Sequence, residues 1–126
     1  MLGLKQVVPA IPVTNMEQGK RFYEGVLELK PDSTLAAPGH FGYDCGGGTR
    51  LAIYERAASK ADHTLVSFEV SDLEAAVKDL KTKGIKFEDY DFPGLKTVDG
   101  IASIGNWRGG WFKDPDGNIL AVGQTP

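Results

Sequence analysis

The strongest constraint on this chain is a pattern that occurs twice. Lys5–Val13 reads as a strand, with Val7, Ile11 and Val13 on one face and Val8, Ala10 and Pro12 on the other. Asn15 then caps a helix, Gln18 completes a capping box, and Met16, Phe22, Tyr23 and Val26 follow at helical spacing. Half a chain later Thr64, Val66, Phe68 and Val70 alternate as a strand, and Ser71 or Asp72 caps a second helix. Glu74 stands at the capping-box position after Ser71, and Leu73, Ala76, Val77 and Leu80 form the stripe. Placing Asn15 on Asp72 superimposes Val13 on Val70 and Tyr23 on Leu80, an offset of 57 residues. The spacing predicts a duplicated strand–helix–strands unit, with two copies paired in one curved sheet and helices on its outer side.

The remaining segments fit that plan. The first helix is expected to end near Leu27–Leu29, because Pro31 cannot continue it. His40–Cys45 and Arg50–Glu55 form a hairpin around Gly46–Gly48. With no Lys-Ser/Thr and no helix start behind them, these glycines are no phosphate loop. Residues 56–62 read as a linker, Gly84 as the residue ending the second helix, and Ile85–Tyr90 as the next strand. Phe92–Trp107 is long and glycine-punctuated, as binding loops are. Phe112–Val122 closes the chain as a hairpin about Pro115, Asp116 and Gly117. Its return strand puts Asn118, Leu120 and Val122 on one side and Ile119, Ala121 and Gly123 on the other. A three-residue loop sets Trp111 opposite Ala121, whereas a four-residue loop sets Phe112 there.

Composition narrows the function classes. At 126 residues, 41% hydrophobic and 25% charged, the chain suits one globular domain. A net charge of −3 speaks against nucleic acid and anionic membranes as partners. Residues 1–12 lack the basic start and apolar run of a signal peptide, and no stretch reaches the ~20 apolar residues of a membrane span. A single Cys45 allows no internal disulfide and suits a reducing cytoplasm. Cys45 also follows Asp44, whose charge disfavours the thiolate a nucleophile needs.

Val13-Thr14-Asn15-Met16, Arg21-Phe22-Tyr23 and Val26–Pro31 resemble the first half of the vicinal-oxygen-chelate superfamily, the glyoxalase/bleomycin-resistance/dioxygenase group. Phe68–Leu73 and Lys83–Phe87 resemble its second half, and Asp114–Asn118 its closing hairpin. The resemblance implies an α+β fold in a single domain, 1–126. Two paired βαβββ modules, about 1–58 and 62–126, form a cup-shaped mixed sheet with helices on the outer face. Glu28 departs from the pattern, which usually has Gly after the first helix. A larger departure concerns metal. Enzymes of the group typically hold a divalent ion through a His seven residues before the first cap, a His at the matching place in the second half, and two Glu or His residues elsewhere. The matching positions here are Val8, Leu65, Ala52 and Ala121, all apolar. Methyl groups cannot supply the N, O or S donors that such ions need.

The expected function is therefore metal-free, cofactor-free binding of an apolar or aromatic small molecule in the cup, similar in kind to bleomycin-resistance proteins. Val8, Ala52, Leu65 and Ala121 are expected to line it. Arg50, Tyr54, His63 or Glu69 would fix a polar end of the ligand, with Trp107 and Trp111 as flat contact surfaces. No catalytic residue stands out. The alternatives are a lyase, isomerase or dioxygenase with relocated ligands (His63, Glu69 and Asp44) or metal-independent acid–base chemistry, and a dimeric interaction module whose cup is filled by its own side chains. His40 is expected to be exposed. The resemblance further implies a homodimer.

Overall fold

The structure, a computed structural model, describes residues 2–126. It has mixed α+β architecture and falls into two compact units, Met1–Lys60 and Ala61–Pro126. In the first, β1 (Ala10–Val13) leads through Asn15 into α1 (Met16–Lys20), which continues as a π-helical segment, Arg21–Val26. β2 (Lys30–Pro31), a 3-10 turn (Ser33–Leu35), β3 (His40–Gly46) and β4 (Thr49–Glu55) follow. The second unit comprises β5 (Thr64–Glu69), α2 (Leu73–Thr82), a two-stranded ribbon of β6 (Asp91–Phe92) and β7 (Leu95–Lys96), β8 (Ala102–Ile104), β9 (Trp107–Lys113) and β10 (Ile119–Gln124). Strand order is β1-β4-β3-β2 in one sheet and β5-β10-β9-β8 in the other. The β1–β4 and β5–β10 pairs are parallel and the remaining pairs antiparallel. The sequence repeat is thus a repeat of topology.

Both helices start as the sequence predicts. Asn15 Oδ1 accepts from the Gln18 N–H (2.9 Å), and Asp72 Oδ1 accepts from the Ala75 N–H (3.1 Å). Asp72, not Ser71, is the second cap, so the expected Ser71–Glu74 box does not form and Glu74 pairs with Arg108 instead. The helix ends differ by one residue. After α2, Gly84 takes φ +91° and the Ile85 N–H reaches back five residues to the Leu80 carbonyl (3.0 Å). After α1, Glu28 takes φ +57° and the Leu29 N–H reaches back six residues to Tyr23 (3.0 Å). A π segment is one residue inserted into an α-helix, and it accounts for the difference.

Each helix packs on one face of its own sheet. Ile11, Val13, Tyr43, Leu51 and Ile53 are buried in the first unit with Phe22 and Tyr23. Phe112, Leu120 and Val122 are buried in the second with Leu73, Val77, Leu80 and Phe87. Register gives a second ruler. Ala10 pairs with Ala52, and Ser67, 57 residues later, pairs with Ala121. Ala121 therefore stands where Ala52 stands, but 69 residues on, so the second unit carries 12 extra residues between helix and last strand.

Two expected strands are corrected. Only Ala10–Val13 of Lys5–Val13 joins the ladder, and Val7 is 73% exposed rather than on the buried face. Pro9, just before the strand, has no N–H to carry the ladder further back, whereas Pro12 is tolerated within β1 because that strand is at the edge of its sheet. Ile85–Tyr90 forms no strand: its Glu88 N–H makes a bond to the Trp111 carbonyl (2.8 Å), and Phe87 turns into the core.

Candidate functional site

In the second unit the sheet face away from α2 is set by the closing turn. Asp114 accepts from the N–H groups of Asp116 and Asn118 and from the Asn118 side-chain amide (2.9, 2.9 and 2.8 Å). The Gly117 N–H donates to the Asp114 carbonyl and the Asp114 N–H to the Asn118 carbonyl (3.0 Å each), leaving a three-residue loop. Trp111 is therefore directly opposite Ala121. Trp111, Ala121 and Ala102 form a buried cluster, against which Tyr90, Leu95, Trp107 and Ile119 pack. Trp107 and Tyr90 each hold their rings 5.5 Å from that of Trp111. The Trp107 indole lies across bare backbone: a methyl on Gly123 would come within 2.2 Å of Nε1, and one on Gly109 within 2.3 Å of the ring. Burial pushes the Tyr90 hydroxyl above its ordinary pKa, Glu88 adds to this, and Lys113 opposes it.

The matching face of the first unit is built otherwise. Arg50, Ala52 and Tyr54 occupy the row of Ile119, Ala121 and Gly123, and Gly42 stands opposite Ala52 where Trp111 stands opposite Ala121. Leu35 lies over Gly42, against its α-carbon. The Arg50 guanidinium donates to Gln6 (3.0 Å), Asp32 (3.3 Å) and Thr34 (3.3 Å). Hydrogen bonds from Thr34, with Arg50 nearby, hold the Asp32 carboxyl below its ordinary pKa. Tyr54 stacks with the exposed His40 at 6.4 Å.

The side chains present do not fit the metal site that the fold group uses. Val8 is half-buried just before β1, and the next carbonyl, of Pro9, accepts from the Ala52 N–H (2.9 Å). Ala52 has Ala10 and Gly42 beside it, and Ala121 has Ser67 and Trp111. Leu65 is half-buried on β5. Among the described residues no three His, Cys, Asp or Glu side chains gather as a metal set. His63 is exposed and faces Asp62 (3.3 Å), while Glu69 accepts from the Thr125 N–H and hydroxyl. Six residues of extended chain separate them by about 20 Å, far beyond a shared ion. Asp44, in the first unit, accepts from the Gly46 N–H (2.9 Å). Burial and then Asp44 push the Cys45 thiol upward, away from the thiolate.

The sequence reading placed a binding loop at Phe92–Trp107 but not its lining. The ribbon β6–β7 and the Val98–Ile101 turn enclose an open cleft of about 960 Å³ against β8. Phe92, Leu95, Val98, Ile101 and Ala102 supply its apolar lining, and Asp91, Lys96, Asp99 and Arg108 its charges. Two dipeptides carry the signal: Pro93-Gly94 turns the ribbon, and Asp99-Gly100, with φ +54° and +81°, makes the tight turn joining Val98 to Ile101. Flanking strands of two residues are too short to register as alternation.

Residues 3–122 match the family model described as Glyoxalase/Bleomycin resistance protein/Dioxygenase superfamily. No curated protein sequence matches the chain. Among solved structures it is similar to a superfamily member from Sphaerobacter thermophilus (21% identity, 98% of this chain and 99% of that one, TM-score 0.71). It is also similar to a glyoxalase/bleomycin resistance protein from Catenulispora acidiphila (22%, 96% and 98%, TM-score 0.66) and to a fosfomycin resistance protein from Mesorhizobium loti (15%, 100% and 95%, TM-score 0.65). At these identities the likeness is one of fold.

Proposed function

The chain belongs to the glyoxalase/bleomycin resistance protein/dioxygenase superfamily, and from that premise we propose that it is a metal-free small-molecule-binding protein taking up an apolar or aromatic ligand. One observation carries the reading. Ala121, at the position where the closing strand of a metal-binding relative would offer a carboxylate, is buried in one cluster with its cross-strand partner Trp111 and with Ala102, against which Trp107, Tyr90, Leu95 and Ile119 pack. A methyl group among indoles offers dispersion and flat contact area, and no lone pair for an ion. Burial and then Asp44 disfavour the thiolate of Cys45, the one cysteine, as a nucleophile. Among the described residues no helix is long and apolar enough to cross a membrane. The reading is completed by one domain made of both units, acting in the cytoplasm as a homodimer.

The test is titration with an uncharged aromatic probe, N-phenylnaphthylamine, followed by tryptophan fluorescence with and without a chelator. Saturable quenching, unchanged by chelator, is expected. Quenching that requires an added divalent ion contradicts the metal-free reading. Light scattering at micromolar protein should give twice the 13.6 kDa chain mass.

A further inference from the structure

We infer that the cleft walled by the β6–β7 ribbon is the seat of the ligand, and that it takes an uncharged, mainly apolar small molecule. This rests on the binding reading above and adds a place and a chemical class to it. The cleft lies in the stretch by which the second unit exceeds the first, so the repeated frame does not require it. About 960 Å³ is the size of an ordinary small-molecule site. Phe92 is 53% exposed and Val98 66% exposed, although both line one concavity, and side chains of this kind gain from being covered. Leu95 and Ala102 belong both to the cleft and to the tryptophan cluster, so a ligand seated there continues an existing apolar surface.

The charges of the wall indicate what kind of ligand fits. Two are acidic and two basic, so they sum to no net charge, and one of them is held in an ion pair. Arg108 is paired with Glu74, whose carboxyl that hydrogen bond holds below its ordinary pKa. Asp91 and Lys96 are direct cross-strand partners in the ribbon. Asp99 sits beside Lys81, whose ammonium donates to its carbonyl (3.3 Å). A charged ligand would meet a like charge beside every opposite one, or have to displace Glu74 from Arg108, and would lose its own hydration. An uncharged one needs only the apolar lining.

The experiment compares N-phenylnaphthylamine with its sulfonated analogue, anilinonaphthalene sulfonate, on the full chain and on Phe92→Ser, Val98→Ser and Ile104→Ser. Ile104 is an exposed apolar residue outside the cleft lining, and all three changes are at exposed positions that should leave folding intact. The uncharged probe should bind about tenfold tighter than the sulfonate. Phe92→Ser should weaken it about tenfold and Val98→Ser several-fold, with Ile104→Ser unchanged. Binding that survives both cleft variants but is lost on Trp107→Ala overturns the cleft and leaves the binding reading standing. Tighter binding of the sulfonate overturns the ligand class. If neither probe binds the unaltered chain, the binding reading falls, and the cleft with it.

Discussion

Arg50, Ala52 and Tyr54 of the first unit occupy the positions that Ile119, Ala121 and Gly123 hold in the second. Beneath them, on the helix side, the two units agree: Leu51 matches Leu120, Ile53 matches Val122, and Tyr43 matches Phe112, all buried. Away from the helix they diverge. One face is polar, with a guanidinium tied to Asp32, Thr34 and Gln6, and a leucine laid over Gly42. The other is aromatic, with an indole spread over two glycines. The difference teaches where each kind of residue is constrained. Burial against a helix fixes apolar character in both copies, because either sheet needs that core to fold. The opposite face is free to vary, and the 12 extra residues are added only where it became aromatic.

The equivalence of the cores can be broken by paired truncation. Leu51→Ala and Leu120→Ala should each cost about 3 kcal/mol in urea denaturation, since both side chains are fully buried. A cost confined to one of them would show that the repeat is of topology and not of load.

The divergence of the faces is sharpened by the next row. Gly123→Ala drives a methyl into the Trp107 indole and should cost about 2 kcal/mol, with a red shift in tryptophan emission as the ring is displaced. Tyr54→Ala, at the matching place, should cost less than about 1 kcal/mol, because Tyr54 is only half-buried. Equal costs would mean that the two faces are packed alike.

The helix ends give a smaller effect of opposite sign. Glu28 holds a left-handed conformation that glycine adopts without strain, so Glu28→Gly should stabilise by about 1 kcal/mol. Gly84→Ala should destabilise by about the same amount. Loss of stability in Glu28→Gly would show that the Glu28 side chain outweighs its backbone strain.

The smallest difference appears only in base. Burial, reinforced by Glu24, raises the Tyr43 pKa above its ordinary 10, and the hydroxyl donates to the Glu24 carboxylate (3.2 Å). A folded-state pKa above the unfolded one means that the native state holds the proton longer. Its contribution is complete below pH 10 and is lost as pH rises through the folded value. Tyr43→Phe copies the Phe112 of the other unit and should flatten that alkaline decline, at a cost near neutrality of about 1 kcal/mol. An unchanged alkaline limb, read by denaturation at several pH values, would remove Tyr43 as its source.

Much of this was legible in the sequence, for physical reasons that also mark where legibility stopped. The caps Asn15 and Asp72 could be read because a side-chain oxygen before an amphipathic run has one common use. The partner of Ala121 could be narrowed to Trp111 or Phe112 because Pro115-Asp116-Gly117 limits the turn to few lengths, and the register settles it as Trp111. Val8 and Leu65 could be reached by counting back seven residues from those caps, Ala121 by counting three on from Asn118, and Ala52 from the strand after the glycine hairpin. Hidden were the π insertion, which shifts no cap and only moves the terminator from glycine to Glu28, and the fate of Ile85–Tyr90, whose apolar spacing serves one deep anchor at Phe87 rather than a ladder. The loop that holds the cleft could be read at Phe92–Trp107, but not its lining, because the flanking ribbon strands are two residues long, below the length at which alternation exists.

The central claim, that a fold shared with metal-binding enzymes here serves binding without metal, meets its most direct test in metal analysis of protein purified without chelators, followed by calorimetric titration with Zn, Ni, Mn and Fe(II). The expected result is no stoichiometric metal and no saturable heat, because Val8, Ala52, Leu65 and Ala121 offer no donor atoms. One equivalent of tightly bound metal would contradict the claim and return the chain to the enzymes.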